Sequence, residues 1–172
     1  SGRETASRVV GGAIAKMMLR EKGITIRSSI VEQTTPADND SSGGIIECTI
    51  DGLPAGVGNP IFERVGARLA EAMMSIPSAI GFEMGAGFAA ASMKGSQFRD
   101  LWCGDGSFAT RTNHCGGTQG GISNGQDIYF RVAFKPVATI LTKQDTVDME
   151  GNSTTFTARG RHDPCVLPRA VP

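Results

Sequence analysis

A strict alternation of apolar and other side chains between positions 128 and 134 most constrains how this chain can fold. One face of the segment is formed by Ile128, Phe130, Val132 and Phe134. The opposite face is formed by Tyr129, Arg131 and Ala133. A period of two residues is typical of a β-strand with one buried face. The strand follows a glycine-rich block over residues 116–125, which predicts tight turns before it.

The first 22 residues have a helical pattern instead. Between residues 4 and 22, apolar side chains recur at spacings of three and four, and Gly23 follows as a stop signal. Gly11 and Gly12 lie inside this helix, where each costs about 1 kcal/mol relative to alanine. A cost of this kind indicates close approach of another backbone, so we expect the helix to be central and tightly packed.

Shorter patterns predict the remaining elements, and together the elements indicate an α+β fold with antiparallel sheets. Polar residues, with Pro36 and Asp38 among them, predict a loop over residues 34–44. The other predicted elements are strands at 24–33 and 45–50, a helix at 61–75, a strand within 76–82, and a hairpin formed by 146–149 and 154–158. We interpret residues 1–172 as a single domain.

Composition excludes some classes of function. The chain has 172 residues, of which 40% are hydrophobic, and its 17 basic residues balance 17 acidic ones. Nucleic-acid-binding proteins usually carry a basic excess, so this balance argues against that class. An anionic small molecule could still be bound by a local cluster of arginines. No uninterrupted apolar run is long enough to span a bilayer.

The four cysteines are widely spaced and contain no Cys-x-x-Cys pair. Free, buried thiols are the expected state for a chain of this size. Zinc is an alternative, because His114 and Cys115 are neighbours and His162 is close to Cys165. Their spacing matches no usual zinc pattern, so we predict no metal site.

A cluster of unlike polar groups occurs at Gly160-Arg161-His162-Asp163-Pro164-Cys165. It puts a permanent cation, an imidazole and a carboxylate in consecutive positions, and Pro164 restricts the backbone behind them. This pattern is typical of a loop that holds polar groups in place, although a solvated surface loop is the alternative reading.

Four blocks together resemble the chorismate synthase family. They are Ser1-Gly-Arg-Glu-Thr-Ala-Ser-Arg8, the glycine block 116–125, Lys135-Pro-Val-Ala-Thr139, and the tract from Gly160 to Arg169-Ala-Val-Pro172. The resemblance runs along the whole chain. It implies helices packed between antiparallel β-sheets, assembly as a homotetramer, and a cytoplasmic location or, alternatively, a plastid.

The resemblance also implies an activity. Family members are carbon–oxygen lyases that convert 5-enolpyruvylshikimate 3-phosphate to chorismate and phosphate by a 1,4-anti elimination, the last step of the shikimate pathway. Reduced FMN is required without net redox change, and it is supplied either by intrinsic NADPH activity or by a flavin reductase. The alternative is a flavin- or anion-binding, or purely structural, oligomeric scaffold without catalysis.

Site residues are carried over from the same blocks. In the family, the 135–139 segment wraps the FMN phosphate, which implies Lys135 as the cation and Thr139 as a hydroxyl donor. Arg3 and Arg161 would bind the substrate, while Arg161 and Asp163 would act in catalysis, with Asp163 on the proton at flavin N5. His162 would support the loop. The full set implied for FMN is Ser1, Pro77, Ser78, Gly120, Lys135, Pro136, Val137, Ala138, Thr139 and Arg161.

Structural readings of some of these residues stay open. Ser1 and Thr5 would suit a helix N-terminus as capping residues. Pro77 and Ser78 stand where the family often has Asn-Ala, and a plain turn from helix to strand explains them equally well. Glycines in the 116–125 block serve close packing as readily as contact with a cofactor.

The chain departs from the family in two further respects. Family members use two histidines from N-terminal segments, one of them in a Gly-Glu-Ser-His motif, whereas His114 and His162 are the only histidines here. A helical stretch expected near residues 34–43 is also absent. We therefore interpret the chain as the central portion of such an enzyme and expect no turnover by it alone.

Overall fold

The computed structural model describes residues 2–104 and 108–172, with side chains from residue 4 onward. The helices in these ranges are α1 (Gly2–Glu21), α2 (Val65–Met74), α3 (Gly95–Phe98), α4 (Leu167–Ala170) and a 3-10 helix over Gly87–Ser92. The strands are β1 (Thr25–Gln33), β2 (Gly44–Asp51), β3 (Ala79–Met84), β4 (Thr118–Gln119), β5 (Ile122–Ser123), β6 (Ile128–Phe134), β7 (Lys143–Val147) and β8 (Ser153–Thr157). The predicted α+β class is confirmed.

One antiparallel sheet organises the molecule, with strand order β1-β2-β6-β3. The alternating segment predicted from sequence is β6, which pairs with β2 on one side and β3 on the other. The remaining strands form two separate hairpins, β4–β5 and β7–β8. The β7–β8 hairpin confirms the hairpin predicted near residues 146–158.

The core lies on one face of the sheet. All four apolar side chains of the alternating pattern are buried: Ile128, Phe130, Val132 and Phe134 are between 0% and 4% exposed. The rings of Phe82 and Phe130 pack at a centroid distance of 5.4 Å. Side chains of α2 cover one part of this face, and the fully buried Leu167 of α4 covers another. The sheet's other face carries the ion pair between Arg131 and Glu83.

Helix α1 confirms the predicted helix but not its predicted burial. Val10, Ile14 and Met17 are 57–65% exposed, and a side chain at Gly11 or Gly12 would meet no atom within 4 Å. The expectation of a central, tightly packed helix is therefore wrong for the described structure. The reason is how the helix is rotated about its axis. Gly12 and Lys16 are directed at the sheet, whereas the apolar stripe that contains Val10, Ile14 and Met17 points away from it.

An apolar cavity of about 450 Å³ separates α1 from the sheet. Gly12 and Lys16 line it from the helix, and Ile46, Cys48 and Phe130 line it from the sheet. Burial raises the pKa of the Cys48 thiol to about 11, which the nearby Lys16 ammonium only partly offsets. Among the helices of the described residues, none combines the length and the apolarity needed to cross a membrane.

Helix α2 begins four residues later than the pattern at 61–75 predicts. Asn59 and Glu63 exchange two backbone hydrogen bonds of 2.9 Å, which close a tight turn ahead of the helix. Because the turn uses these backbone groups, Ile61 and Phe62 lie outside the helix and are 71% and 88% exposed.

Candidate functional site

A cleft of about 250 Å³ opens where β6 ends and the C-terminal tract returns to the sheet. It collects side chains from five separate parts of the chain. Its lining residues are Thr5, Ile76, Pro77, Ser78, Val137, Thr139, Arg161, His162, Asp163, Val166, Arg169 and Ala170.

Pairing of β3 with β6 brings two of these parts together, residues 76–78 and the 135–139 segment. Ala79, the first residue of β3, is paired with Phe134, the last residue of β6. The residues just outside this pair are therefore adjacent, and the Lys135 amide donates a hydrogen bond of 3.0 Å to the Ser78 carbonyl. Ser78 has a φ of 73°, a conformation that non-glycine residues seldom adopt outside special turns.

The Arg161–Asp163 tripeptide forms another wall of the cleft. Asp163 makes an ion pair with Arg169, which joins this tripeptide to α4. Buried Leu167 lies between these two residues in sequence and fixes α4 on the core. The ring Nε2 of His162 lies 2.9 Å from the Asp40 carbonyl oxygen, which agrees with a role for His162 in supporting the loop.

The charge of the lining is predominantly positive. Arg161 and Arg169 are opposed by the single carboxylate of Asp163. Lys135 does not line the cleft, but it is exposed and its amide is bonded to the lining residue Ser78. The first turn of α1 contributes Thr5, and helix N-termini attract anions. An arrangement of guanidinium groups, hydroxyls and a helix N-terminus is suited to phosphate and carboxylate ligands.

The structure brings half of the twelve predicted site residues into the lining of this cleft. Of the predicted FMN and catalytic positions, the cleft is lined by Pro77, Ser78, Val137, Thr139, Arg161 and Asp163. Pro136 and Ala138 are exposed in the same segment as Lys135. Ser1 lies outside the described residues, and so does the side chain of Arg3, whose backbone belongs to α1.

Gly120, predicted as an FMN contact, does not line this cleft. It lies in the turn between β4 and β5, with open space around it. The glycine block is anchored by Gly117, which packs against Asp127 and Ile128 at the start of β6. The cleft adjoins the other end of β6, and a seven-residue strand spans about 20 Å.

Packing accounts for the neighbouring glycines. A side chain at Gly116 would lie 2.6 Å from the Gly85 amide nitrogen, and one at Gly85 would lie 2.1 Å from the His114 carbonyl oxygen. The backbones at Gly85 and Gly116 therefore approach each other more closely than any larger residue allows. Of the two readings of this block, close packing explains Gly116.

Two polar lining residues, Thr5 and Arg169, are not among the site residues predicted from the sequence. Arg169 follows Asp163 by six residues in the proline-containing tract, and only the intervening turn of α4 brings them together. The sequence pattern predicts Thr5 only as a helix-capping residue, yet Thr5 also lines the cleft. A pattern of charges at both ends of one short tract was the available signal for Arg169.

The described residues do not support the zinc alternative. Among them, no three His, Cys, Asp or Glu side chains are grouped in a way that could hold a metal ion. The four cysteines are free thiols, each half-buried.

Comparison with known proteins agrees with the geometry. The family model described as chorismate synthase matches residues 33–172. The whole chain is 46% identical to the chorismate synthases of Opitutus terrae and of Synechococcus elongatus, covering 58% and 59% of their lengths. A solved structure titled chorismate synthase superposes with a TM-score of 0.73 and 32% identity, over 79% of this chain and 56% of that one.

The chain matches only part of the length of these relatives. It spans somewhat under three-fifths of the curated relatives that it matches, and the match with the Opitutus terrae protein extends over 212 residues against 172 here, a difference of 40. The family model nevertheless covers more than half of the chain, and it includes the strand β6, the 135–139 segment and the loop of Arg161 and Asp163. By this match the chain is a member of the chorismate synthase family.

Proposed function

We propose that this chain carries part of the active site of an enzyme that converts 5-enolpyruvylshikimate 3-phosphate to chorismate and phosphate, with reduced FMN as cofactor. The observation that carries the proposal is the cleft itself, where Ser78, Thr139 and Arg161 converge from three segments that are distant in sequence. The family membership and the positive lining support the same conclusion.

The chemistry of the donor set fits a flavin phosphate. Ser78 and Thr139 offer hydroxyl groups in the lining of the cleft, and Lys135, whose amide is bonded to Ser78, offers an exposed ammonium group. Such groups supply the charge-assisted hydrogen bonds that phosphate oxygens accept. The cleft volume of about 250 Å³ lies below the roughly 300–1,000 Å³ of common ligand sites, so the described residues would enclose part of a flavin.

The proposed division of labour follows from the positions of the side chains. Lys135 and Thr139 would hold the FMN phosphate, and Arg161 would orient the anionic substrate with its planar fork of donors. When bound, reduced FMN would supply the electron-rich ring that the family's elimination requires. The carboxylate of Asp163, oriented by Arg169, would accept or return a proton at the cleft wall.

Lys135→Ala tests the phosphate assignment. Loss of a charged phosphate partner should weaken FMN binding roughly tenfold or more, because charge-assisted hydrogen bonds are the strong ones. Riboflavin lacks the phosphate, so its affinity should change little. Flavin fluorescence titrations of both ligands against both proteins provide the measurement.

Lys143→Ala is the matched control, since it removes the same charge from an exposed position on β7 outside the cleft. It should leave both affinities unchanged. Equal losses of FMN affinity in the Lys135 and Lys143 variants would show that only general charge matters, and would refute the phosphate assignment.

We also propose the homotetrameric assembly and the cytoplasmic location that the family resemblance implies, with NADPH or a flavin reductase as the source of reduced FMN. The non-catalytic scaffold is the second candidate. A scaffold would bind flavin or anions without any coupling between FMN and the substrate.

A further inference from the structure

One loop touches both of the segments that form the candidate site. Residues 39–42, here named the strap, lie between β1 and β2. The Ser41 hydroxyl donates a hydrogen bond of 2.6 Å to the Val137 carbonyl, and the Ser42 amide donates one of 2.8 Å to the Pro164 carbonyl. Two consecutive residues therefore contact the 135–139 segment and the C-terminal loop.

Each segment is held by the strap at a second point. The Leu141 amide donates a hydrogen bond of 3.2 Å to the Asn39 carbonyl. The His162 ring nitrogen lies 2.9 Å from the Asp40 carbonyl oxygen. The contacts therefore lie within each segment and just beyond it, an arrangement that restricts rotation as well as separation.

The strap is itself well anchored. Ser42 is 2% exposed, and it forms an isolated parallel bridge with Cys165. The Asp40 carboxylate accepts a hydrogen bond of 2.7 Å from the Ser41 amide, which fixes the turn that directs the Ser41 side chain. Because Ser41 itself is half-buried and its acceptor is a backbone carbonyl, its hydroxyl is not simply a solvated surface group.

We propose that Ser41 is a positioning residue, which sets the place of the phosphate-side 135–139 segment relative to the loop of Arg161 and Asp163. It does not line the cleft, so it acts through Val137 and not on a ligand. The inference rests on the proposed function, because that function requires both segments to bind ligands in the same cleft.

Ser41→Ala distinguishes positioning from general stabilisation. It removes the bond to Val137 and leaves the backbone bond from Ser42 to Pro164 in place. FMN affinity should fall about tenfold, whereas riboflavin, which has no phosphate for the 135–139 segment, should keep its affinity within about twofold. Ser41→Thr retains a hydroxyl and should recover most of the FMN affinity.

Ser28→Ala is the matched control. The Ser28 hydroxyl is also half-buried and donates a bond of the same 2.6 Å length to a backbone carbonyl, that of Val171. It should change neither affinity. Parallel losses of FMN and riboflavin affinity in Ser41→Ala, or an unchanged FMN affinity, would overturn the proposal.

Amide hydrogen exchange gives a test that needs no ligand. The Leu141 amide, bonded to the strap, should exchange about tenfold faster in Ser41→Ala than in the parent chain, whereas the Lys135 amide, bonded to Ser78, should not change. An unaltered rate at Leu141 would overturn the positioning role. If the parent chain bound no FMN, the proposed function would fail, and exchange would still decide whether Ser41 positions the segment.

Discussion

Asp100 is the side chain that fixes the backbone ahead of the glycine block. It is 8% exposed, and its carboxylate accepts hydrogen bonds from the Thr112 hydroxyl and from the His114 and Cys115 amides, at 2.7–2.9 Å. Asp100→Asn replaces one acceptor oxygen by a donor that faces these N–H groups. We expect the free energy of unfolding to fall by about 1–3 kcal/mol in urea titrations at neutral pH.

The same residue predicts a dependence on pH. Burial alone would raise the pKa of Asp100, but the hydrogen bonds from Cys115, Thr112 and His114 outweigh it, so the pKa is lowered. A lowered carboxyl pKa contributes stability that is present above the unfolded-state pKa and lost as pH falls through the folded-state pKa. The stability difference between the parent and Asp100→Asn should therefore shrink in acid.

Asp148→Asn is the control for this prediction. Asp148 also accepts hydrogen bonds, chiefly from Asn152, and these lower its pKa, but it lies in an exposed turn. It should affect stability less than Asp100→Asn. A difference between parent and Asp100→Asn that stayed constant from neutral pH into acid would contradict the account of Asp100.

At the scale of elements, β6 carries the core. Phe130 is 2% exposed and packs on Phe82, so Phe130→Ala should lower the free energy of unfolding by about 3–5 kcal/mol. The same substitution at Phe156 of β8, which is 58% exposed, should cost less than about 1 kcal/mol. Denaturant titrations of the two variants would contradict this ranking if their losses were equal.

Elements differed in how well the sequence predicted them. β6 was predicted with its buried face, because a period of two residues with large apolar side chains allows one strand orientation in a sheet with one covered face. For α1 the pattern predicted the helix but not its surroundings, since periodicity defines an apolar face without defining what it contacts. The start of α2 was missed because the Asn59–Glu63 turn is made by backbone groups, which leave no pattern in the side chains.

The candidate site, like the elements, could be predicted from the sequence only in part. The 135–139 segment and the loop of Arg161 and Asp163 were predicted as partners, because their motifs are local in sequence and resemble the family. The strap was not, since its contacts to Val137 and Pro164 end on carbonyl oxygens that every residue possesses. Arg169 was missed for a related reason, because only the turn of α4 brings it to Asp163.

At the scale of the whole molecule, the apolar stripe of α1 is a continuous exposed hydrophobic surface. Val10, Ile14, Met17 and Met18 are 57–65% exposed along it. Surfaces of this kind promote association, so the chain should self-associate with rising concentration in sedimentation velocity experiments. Ile14→Lys combined with Met17→Lys should reduce association without lowering the denaturant midpoint, because both side chains are already in contact with water. A monomeric parent chain, or unfolding of the double variant, would contradict this reading.

We propose that FMN and the substrate share one cleft, and the FMN dissociation constant measured with and without 5-enolpyruvylshikimate 3-phosphate decides this. Ligands that meet in one site stabilise each other, and coupling of this kind typically changes affinity about 5–150-fold. We predict that saturating substrate tightens FMN binding at least fivefold, and that Arg161→Ala abolishes the tightening. An FMN affinity that is the same with and without substrate, or no FMN binding at all, would rule out a shared cleft.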